Sequence, residues 1–393
     1  MSRAAQFTIF FAFATAVLTA VHAYLWLRLV RDTALAPPWR QLATVGLAVL
    51  LLSVPAAMGL DRILPSGFLR TVGAVPFVWM GAMMLFVFWF GATDLLRLAL
   101  LLVSKIAGFA LAPERRLLIA RATALGGLAI IAALTAVSVW NAAREPLLTT
   151  IDVRVSRLPR ALDGYTIAQL SDLHLGGSRG DRAWMEGIVA RVNAMDPDLI
   201  AVTGDLVDAS PAHILAEVAP IAGLRARHGV FFVTGNHEFY SGLAEWLPQL
   251  KKLGMRVLRN DRVAIGDGAA SFDLVGVDDP AAGGFTGTSE PDLARVVAGR
   301  DPERAAVLLA HQPKAAREAA ACGIDLVLSG HTHGGQIWPF SALVRLQQPY
   351  VRGLYRISER TRLYVTDGTG TWGPPMRLGT RNEIVRVVLK SER

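Results

Sequence analysis

Four stretches of this chain contain no Asp, Glu, Lys or Arg: residues 4–27, 41–60, 71–93 and 122–143, which are 24, 20, 23 and 22 residues long. A helix needs roughly 20 apolar residues to cross the hydrocarbon core of a bilayer. The pattern therefore commits the first part of the chain to an all-α membrane domain of about four spans, expected over residues 1–146. The first stretch exceeds the roughly 7–15-residue apolar core of a cleavable signal, and further spans follow it, so it reads as a span. Pro37-Pro38 and Pro65-Ser66-Gly67 punctuate the loops. Residues 95–112 are apolar but carry Arg97 and Lys105, and are expected as an amphipathic helix on the membrane surface. Trp26, Trp39 and Trp140 fall near span ends, where indole rings favour the interface.

The net charge of +8 is unevenly placed. Residues 1–149 hold 12 Lys/Arg against 5 Asp/Glu, and the remainder holds 28 against 27. The basic excess thus flanks the spans and is not a patch on the second half, so no nucleic-acid partner is expected. Loops one and three carry Arg28, Arg31, Arg40, Arg97, Lys105, Arg115, Arg116 and Arg121, against Arg3, Arg62, Arg70 and Arg144 on the other side. The positive-inside rule puts the first group in the cytoplasm. The expectation is a multi-pass protein, in a bacterial cell membrane, whose second half lies outside the cytoplasm. The single Cys322 excludes an internal disulfide.

From residue 147 the pattern changes to alternating strands and helices. Apolar runs at 166–170, 199–202, 230–233, 307–310 and 325–328 read as buried strands. Further strands are expected at 151–155, 272–277, 363–366 and 384–389, and helices at 182–193, 211–225, 243–252, 291–297 and 314–322. Such alternation implies a layered α/β sandwich with mixed sheets over residues 147–393. Each of the five buried strands runs into a polar cluster: Ser171-Asp172-Leu173-His174, Gly204-Asp205, Gly235-Asn236-His237-Glu238, His311-Gln312 and Gly330-His331-Thr332-His333. Ligands bind at the carboxyl edge of open α/β sheets, and Asp, Asn and His are oxygen and nitrogen donors for metal ions. Five of the eight histidines sit in these clusters.

The cluster set closely resembles the calcineurin-like metallophosphoesterases over roughly residues 150–390. The strings VLSGHTHGGQ and DGTGTWGPPMR look like that family's membrane-associated bacterial branch. The resemblance implies two divalent metal ions, Mn, Fe or Zn. Asp172, His174, Asp205 and His333 would hold one, and Asp205, Asn236, His311 and His331 the other, with Asp205 bridging. The donor set carries two formal negative charges, so two divalent ions leave a positive site suited to an anionic phosphate. His237 is implied as the catalytic residue, acting as general acid to the leaving oxygen or as donor to the phosphoryl oxygen. Glu238 or another carboxylate is expected to orient it. Asp208 reads as a helix-entry cap. Arg377 reads either as an anion contact or as a structural ion pair.

The implied function is a membrane-anchored phosphoesterase acting on phosphodiester or pyrophosphate bonds of lipid or cell-envelope substrates, UDP-2,3-diacylglucosamine of lipid A synthesis among them. A different class is a membrane signalling or scaffold protein whose domain binds a phospholigand without turning it over. Metal content and hydrolysis of a simple phosphodiester separate the two.

Overall fold

In a computed structural model, which describes residues 3–60, 73–177, 180–267, 270–284 and 290–392, the chain divides into two compact units, Met1–Val139 and Trp140–Arg393. The loop with Pro65-Ser66-Gly67, Arg62 and Arg70 lies outside the described residues.

The first unit is built from α1 (Arg3–Trp26), α2 (Trp39–Leu60), α3 (Ala74–Ile106) and α4 (Pro113–Ala143), of which the last turn belongs to the second unit. All four are long and apolar enough to cross a membrane. Their outward surfaces are apolar, with Leu52, Leu95, Leu118 and Leu125 all exposed, the reverse of a helix bundle that meets water. The polar groups point at each other instead. The Tyr24 hydroxyl donates to Asp94 at 2.6 Å, Arg28 pairs with Asp94 at 2.8 Å, and Arg97 donates to Thr123 at 2.6 Å.

One expectation fails here. Residues 95–106 form no separate surface helix but continue α3 without a break, giving 33 helical residues. Arg97, which suggested an interruption, is satisfied by Asp94 and Thr123. The first residue able to stop the helix is Gly108, whose φ of +70° suits the left-handed position just past a helix end.

The second unit has the expected layered α/β form. One sheet runs β1 (Leu147–Val155), β12 (Glu383–Ser391), β2 (Thr166–Leu170), β3 (Leu199–Val202), β4 (Val230–Phe232) and β5 (Met255–Val257). The other runs β10 (Gly353–Arg356), β11 (Arg362–Val365), β9 (Leu326–Ser329), β8 (Ala306–Leu309), β7 (Ala270–Gly276) and β6 (Asp261–Asp267). Both are mixed: β2 to β5 are parallel while β12 meets β2 antiparallel, and β7, β8, β9 and β11 are parallel while β6 and β10 are antiparallel edges.

Strand side chains alternate between faces, and in the central strands both faces are buried, which explains why those runs are mostly apolar. Ile167, Leu199 and Phe231 pack into the space between the sheets against Phe272, Leu274, Val307 and Leu328. Their neighbours Ala168, Ile200 and Phe232 face outward under α5 (Arg182–Asn193), α6 (Pro211–Val218) and α8 (Leu243–Lys252), with α7 (Asn236–Tyr240) between the last two. The outer face of the second sheet is covered by α9 (Leu293–Val297) and α10 (Ala316–Ala321), and α11 (Ser341–Gln347) follows β9. The carboxyl ends of β2, β3, β4, β8 and β9 thereby collect five loops at one edge.

Candidate metal centre

All seven residues expected as metal donors lie on those five loops, immediately after the strands. Three groups of side chains hold donor atoms within 4.8 Å of one another: Asp172, His174 and His333; His174, Asp205 and His237; and Asp205, His311 and His331. Asp205 belongs to the second and third of these groups, and His174 to the first and second. Asp205 Oδ2 lies 3.1 Å from His311 Nε2 and 3.8 Å from His174 Nε2. His174 Nε2 and His333 Nε2 approach to 3.1 Å, and His311 Nε2 and His331 Nδ1 to 3.2 Å.

The backbone that delivers these groups is unusual. Asp172, His174, Asp205, His331 and His333 all have φ between 51° and 69°, the left-handed region that side chains other than glycine seldom enter. Such conformations cost about 1–3 kcal/mol each and persist only where the surroundings enforce them. The enforcement is visible. His331 N donates to both oxygens of Asp172 at 3.0 and 3.1 Å, and His237 N donates to Asp205 Oδ1 at 2.9 Å. At Gly330 a Cβ would meet Ser171 Oγ at 2.0 Å and Asp172 Oδ2 at 2.2 Å, so the two loops touch through the missing side chain.

The imidazoles are aimed by their outer nitrogens. His311 Nδ1 donates to Thr203 O at 2.8 Å, and His174 Nδ1 donates to Asp208 Oδ1 at 2.7 Å. Each bond places the proton on Nδ1 and turns the Nε2 lone pair inward, the arrangement a metal-binding histidine requires. The Oδ1 of Asn236 is buried without a hydrogen-bond partner. Convergent imidazole lone pairs, two buried carboxylates and an orphaned amide oxygen suit divalent cations bound through nitrogen and oxygen.

Asp208 is not a helix cap. The cap position of α6 is Ser210. The Asp208 carboxylate instead bonds His174 and lies 2.7 Å from His237 Nδ1. Burial alone would raise its pKa, but the two histidines outweigh burial, His174 most, and hold it at about 2. Its spacing of three residues from Asp205 suited a cap equally well, so the sequence carried no signal separating the two roles.

Glu238 does not orient His237. It is fully buried, and its carboxylate accepts from Asp205 N at 3.1 Å, Leu206 N at 2.8 Å and Gly235 N at 2.6 Å, clamping the β3 and β4 loops together. Burial, then the nearby Asp205, pushes its pKa up to about 7. Three amide donors directed at two oxygens argue physically for the ionised form.

Arg377 resolves as structural. It is fully buried, donating to His333 O at 2.8 Å, Gly370 O at 2.5 Å and Asn382 Oδ1 at 2.9 Å, so it fixes the His333 loop. Asp279 lies on the loop after β7. It accepts from Gln312 Nε2 at 3.1 Å, and burial raises its pKa. Tyr240 and Trp372 stand over His237, with ring centroids at 5.4 and 6.0 Å.

A two-sheet α/β sandwich that gathers Asp, Asn and His donors at one strand edge defines a protein with a candidate metal centre. The Calcineurin-like phosphoesterase family matches it over residues 165–335. A Bos taurus "Transmembrane protein with metallophosphoesterase domain" is 42% identical over 269 residues, covering 66% of this chain and 60% of that protein. An uncharacterized metallophosphoesterase of Campylobacter jejuni is 38% identical over 259 residues, covering 65% and 66%. One of Aquifex aeolicus is 35% identical over 243 residues, covering 61% of this chain and 90% of the relative. The chain belongs to the calcineurin-like metallophosphoesterase family. It spans 60% of the length of the bovine relative.

Proposed function

We propose that this protein is a membrane-anchored phosphoesterase that hydrolyses phosphodiester or pyrophosphate bonds of lipid or cell-envelope substrates. The observation that carries the reading is the pair of donor groups joined through Asp205. Asp172, His174, Asp205 and His333 would hold one divalent ion, and Asp205, Asn236, His311 and His331 the second. The ions would supply positive charge to the phosphoryl oxygens and acidify a water.

The chain's own groups do the rest. Asp208 keeps the His237 ring turned so that Nε2 faces the site, where it donates a proton to the leaving oxygen or a hydrogen bond to the phosphoryl group. Asp205 Oδ1 holds the His237 amide, fixing the start of α7. Tyr240 and Trp372 rim the opening.

The four apolar helices support a membrane tether. The eight-to-four division of Lys/Arg supports a catalytic unit outside the cytoplasm. With Cys322 replaced by Ser, an impermeant thiol reagent on intact cells should label Ala298→Cys and spare Ala110→Cys. The reverse pattern would put the site in the cytoplasm.

The deciding experiment uses the full chain, reconstituted with Mn, Fe or Zn and assayed on bis(p-nitrophenyl) phosphate, then on phospholipid diesters and nucleotide-linked lipid pyrophosphates. Turnover of a lipid class supports the reading. A fully metal-loaded protein with no turnover of any of them would make it a phospholigand binder.

A further inference from the structure

The catalytic unit carries apolar side chains where a water-facing domain has no use for them. In α11 no residue is buried. Phe340, Leu343 and Leu346 fall three residues apart along one face and are all exposed, Leu346 at 84%. Trp338, just before this helix, is 62% exposed, and Trp372 is 56% exposed. Trp372 is tied to the segment two residues before Trp338: the Gln336 side chain donates to Trp372 O at 2.8 Å and accepts from Trp372 N at 3.1 Å. The apolar strip therefore runs from beside His237, through Trp372 and Trp338, to the tip of α11.

The same strip lies next to the place where the chain enters this unit. Trp338 N donates to Leu378 O at 2.8 Å. The adjacent Arg377 O accepts from Asn141 at 3.3 Å, and Asn382 donates to Ala142 O at 3.0 Å. Asn141 and Ala142 form the last turn of a helix long and apolar enough to span a bilayer, and Trp140 in that turn is exposed. Arg345 stands exposed between Leu343 and Leu346, placed to meet lipid phosphates while its neighbours enter the acyl region.

We propose that the strip Trp372–Trp338–Phe340–Leu343–Leu346 is the membrane-facing surface of the catalytic unit, inserted into the interface of the bilayer that the chain itself crosses. Tryptophan rings concentrate at that depth, and a helix with an apolar face and a cationic flank lies in the interface plane. The metal centre then opens at headgroup level, and the substrate is a phosphate ester presented by the bilayer surface. This rests on the membrane-anchored reading above.

Spin labels on the full chain in nanodiscs holding one copy each test the proposal. In a Cys322→Ser background, labels go on Leu346→Cys, on Leu343→Cys as a second position, on Leu52→Cys in α2, and on Ala298→Cys ahead of β8. Each variant is first checked for hydrolysis of bis(p-nitrophenyl) phosphate. The expected result is loss of collision with a water-soluble nickel chelate at 346 and 343, to the level at 52, with oxygen collision retained and Ala298→Cys fully nickel-accessible. Nickel access at 346 and 343 equal to that at 298, with 52 shielded, overturns the docking surface and leaves the tether standing. Shielding from both nickel and oxygen means that protein covers the strip, and overturns it too. Nickel access at 52 as well sinks the tether itself, and the proposal with it.

Discussion

Asp208 Oδ1 lies 2.7 Å from His237 Nδ1, and the same oxygen accepts from His174 at 2.7 Å. One carboxylate thus sets the ring orientation of a proposed metal donor and of the proposed proton donor. Asp208→Asn should lower kcat/KM and the affinity for one metal together, by about 10–100-fold each, the usual effect of losing a group that orients a metal-binding imidazole. Steady-state kinetics and metal titration check this. Full activity with full metal content would remove Asp208 from the site.

His237→Ala should behave differently. None of the expected metal donors is lost, so both ions should stay while turnover falls by about 10²–10⁴-fold, the typical contribution of a positioned general acid. The deficit should shrink for p-nitrophenyl esters, whose leaving group needs little protonation. An equal deficit for alkyl and nitrophenyl esters would leave only the hydrogen bond to the phosphoryl oxygen.

Asp205→Ala should lose more metal than Asp172→Ala. Asp205 belongs to two of the three groups of donor atoms, its Oδ2 lying 3.1 Å from His311 and 3.8 Å from His174, whereas Asp172 belongs to one. Elemental analysis after reconstitution reads the difference. Two tightly held ions in Asp205→Ala would end the bridging assignment.

Metal loading should release protons at pH 7. Burial alone would lower the pKa of His174, but Asp208, Asp205 and Asp172 outweigh it and raise it to about 9. His311, likewise buried, is held well above its ordinary value by Asp205. Without metal both therefore carry a second ring proton, on the inward Nε2, at pH 7 and lose it only as the pH rises through the raised values. A metal accepts only the neutral ring. Affinity should increase between pH 7 and 9, and calorimetry in buffers of different ionisation enthalpy should detect the released protons. Binding heats that ignore the buffer would contradict this.

Gly330→Ala forces a methyl group to within 2.0 Å of Ser171 Oγ and 2.2 Å of Asp172 Oδ2. The Asp172 loop has to move. A stability loss of about 1–3 kcal/mol is expected, along with lower metal content, read by thermal unfolding and elemental analysis.

Much of this architecture can be read from residue order. The runs before the five polar clusters are mostly apolar because they lie between two layers, and the observed strands begin and end within a residue or so of them. The strands that escaped notice are edges: β6 and β10 are half exposed, and their mixed composition leaves no apolar run to find. The short β5 has the same difficulty, with only Met255 buried. The five polar clusters were legible because their residue types and order are distinctive, and the structure brings them to one strand edge. Asp208 and Arg377 were not, because what they do depends on bonds to partners 34 and 44 residues away in the chain. The helical course of residues 95–106 was hidden for a related reason: the Arg97 guanidinium is satisfied by Asp94 on its own helix and by the Thr123 hydroxyl of another.

Five proposed donors held in left-handed backbone set the chemistry proposed for this domain against its durability. Glycine at any of those positions would relax the chain and delete a donor in the same change. Relief of backbone strain favours glycine there, while the bonds that Asp172 and Asp205 accept from His331 N and His237 N oppose it at those two positions. Retention of Asp172, His174, Asp205, His331 and His333 in those conformations is a mark of continuing demand on the site.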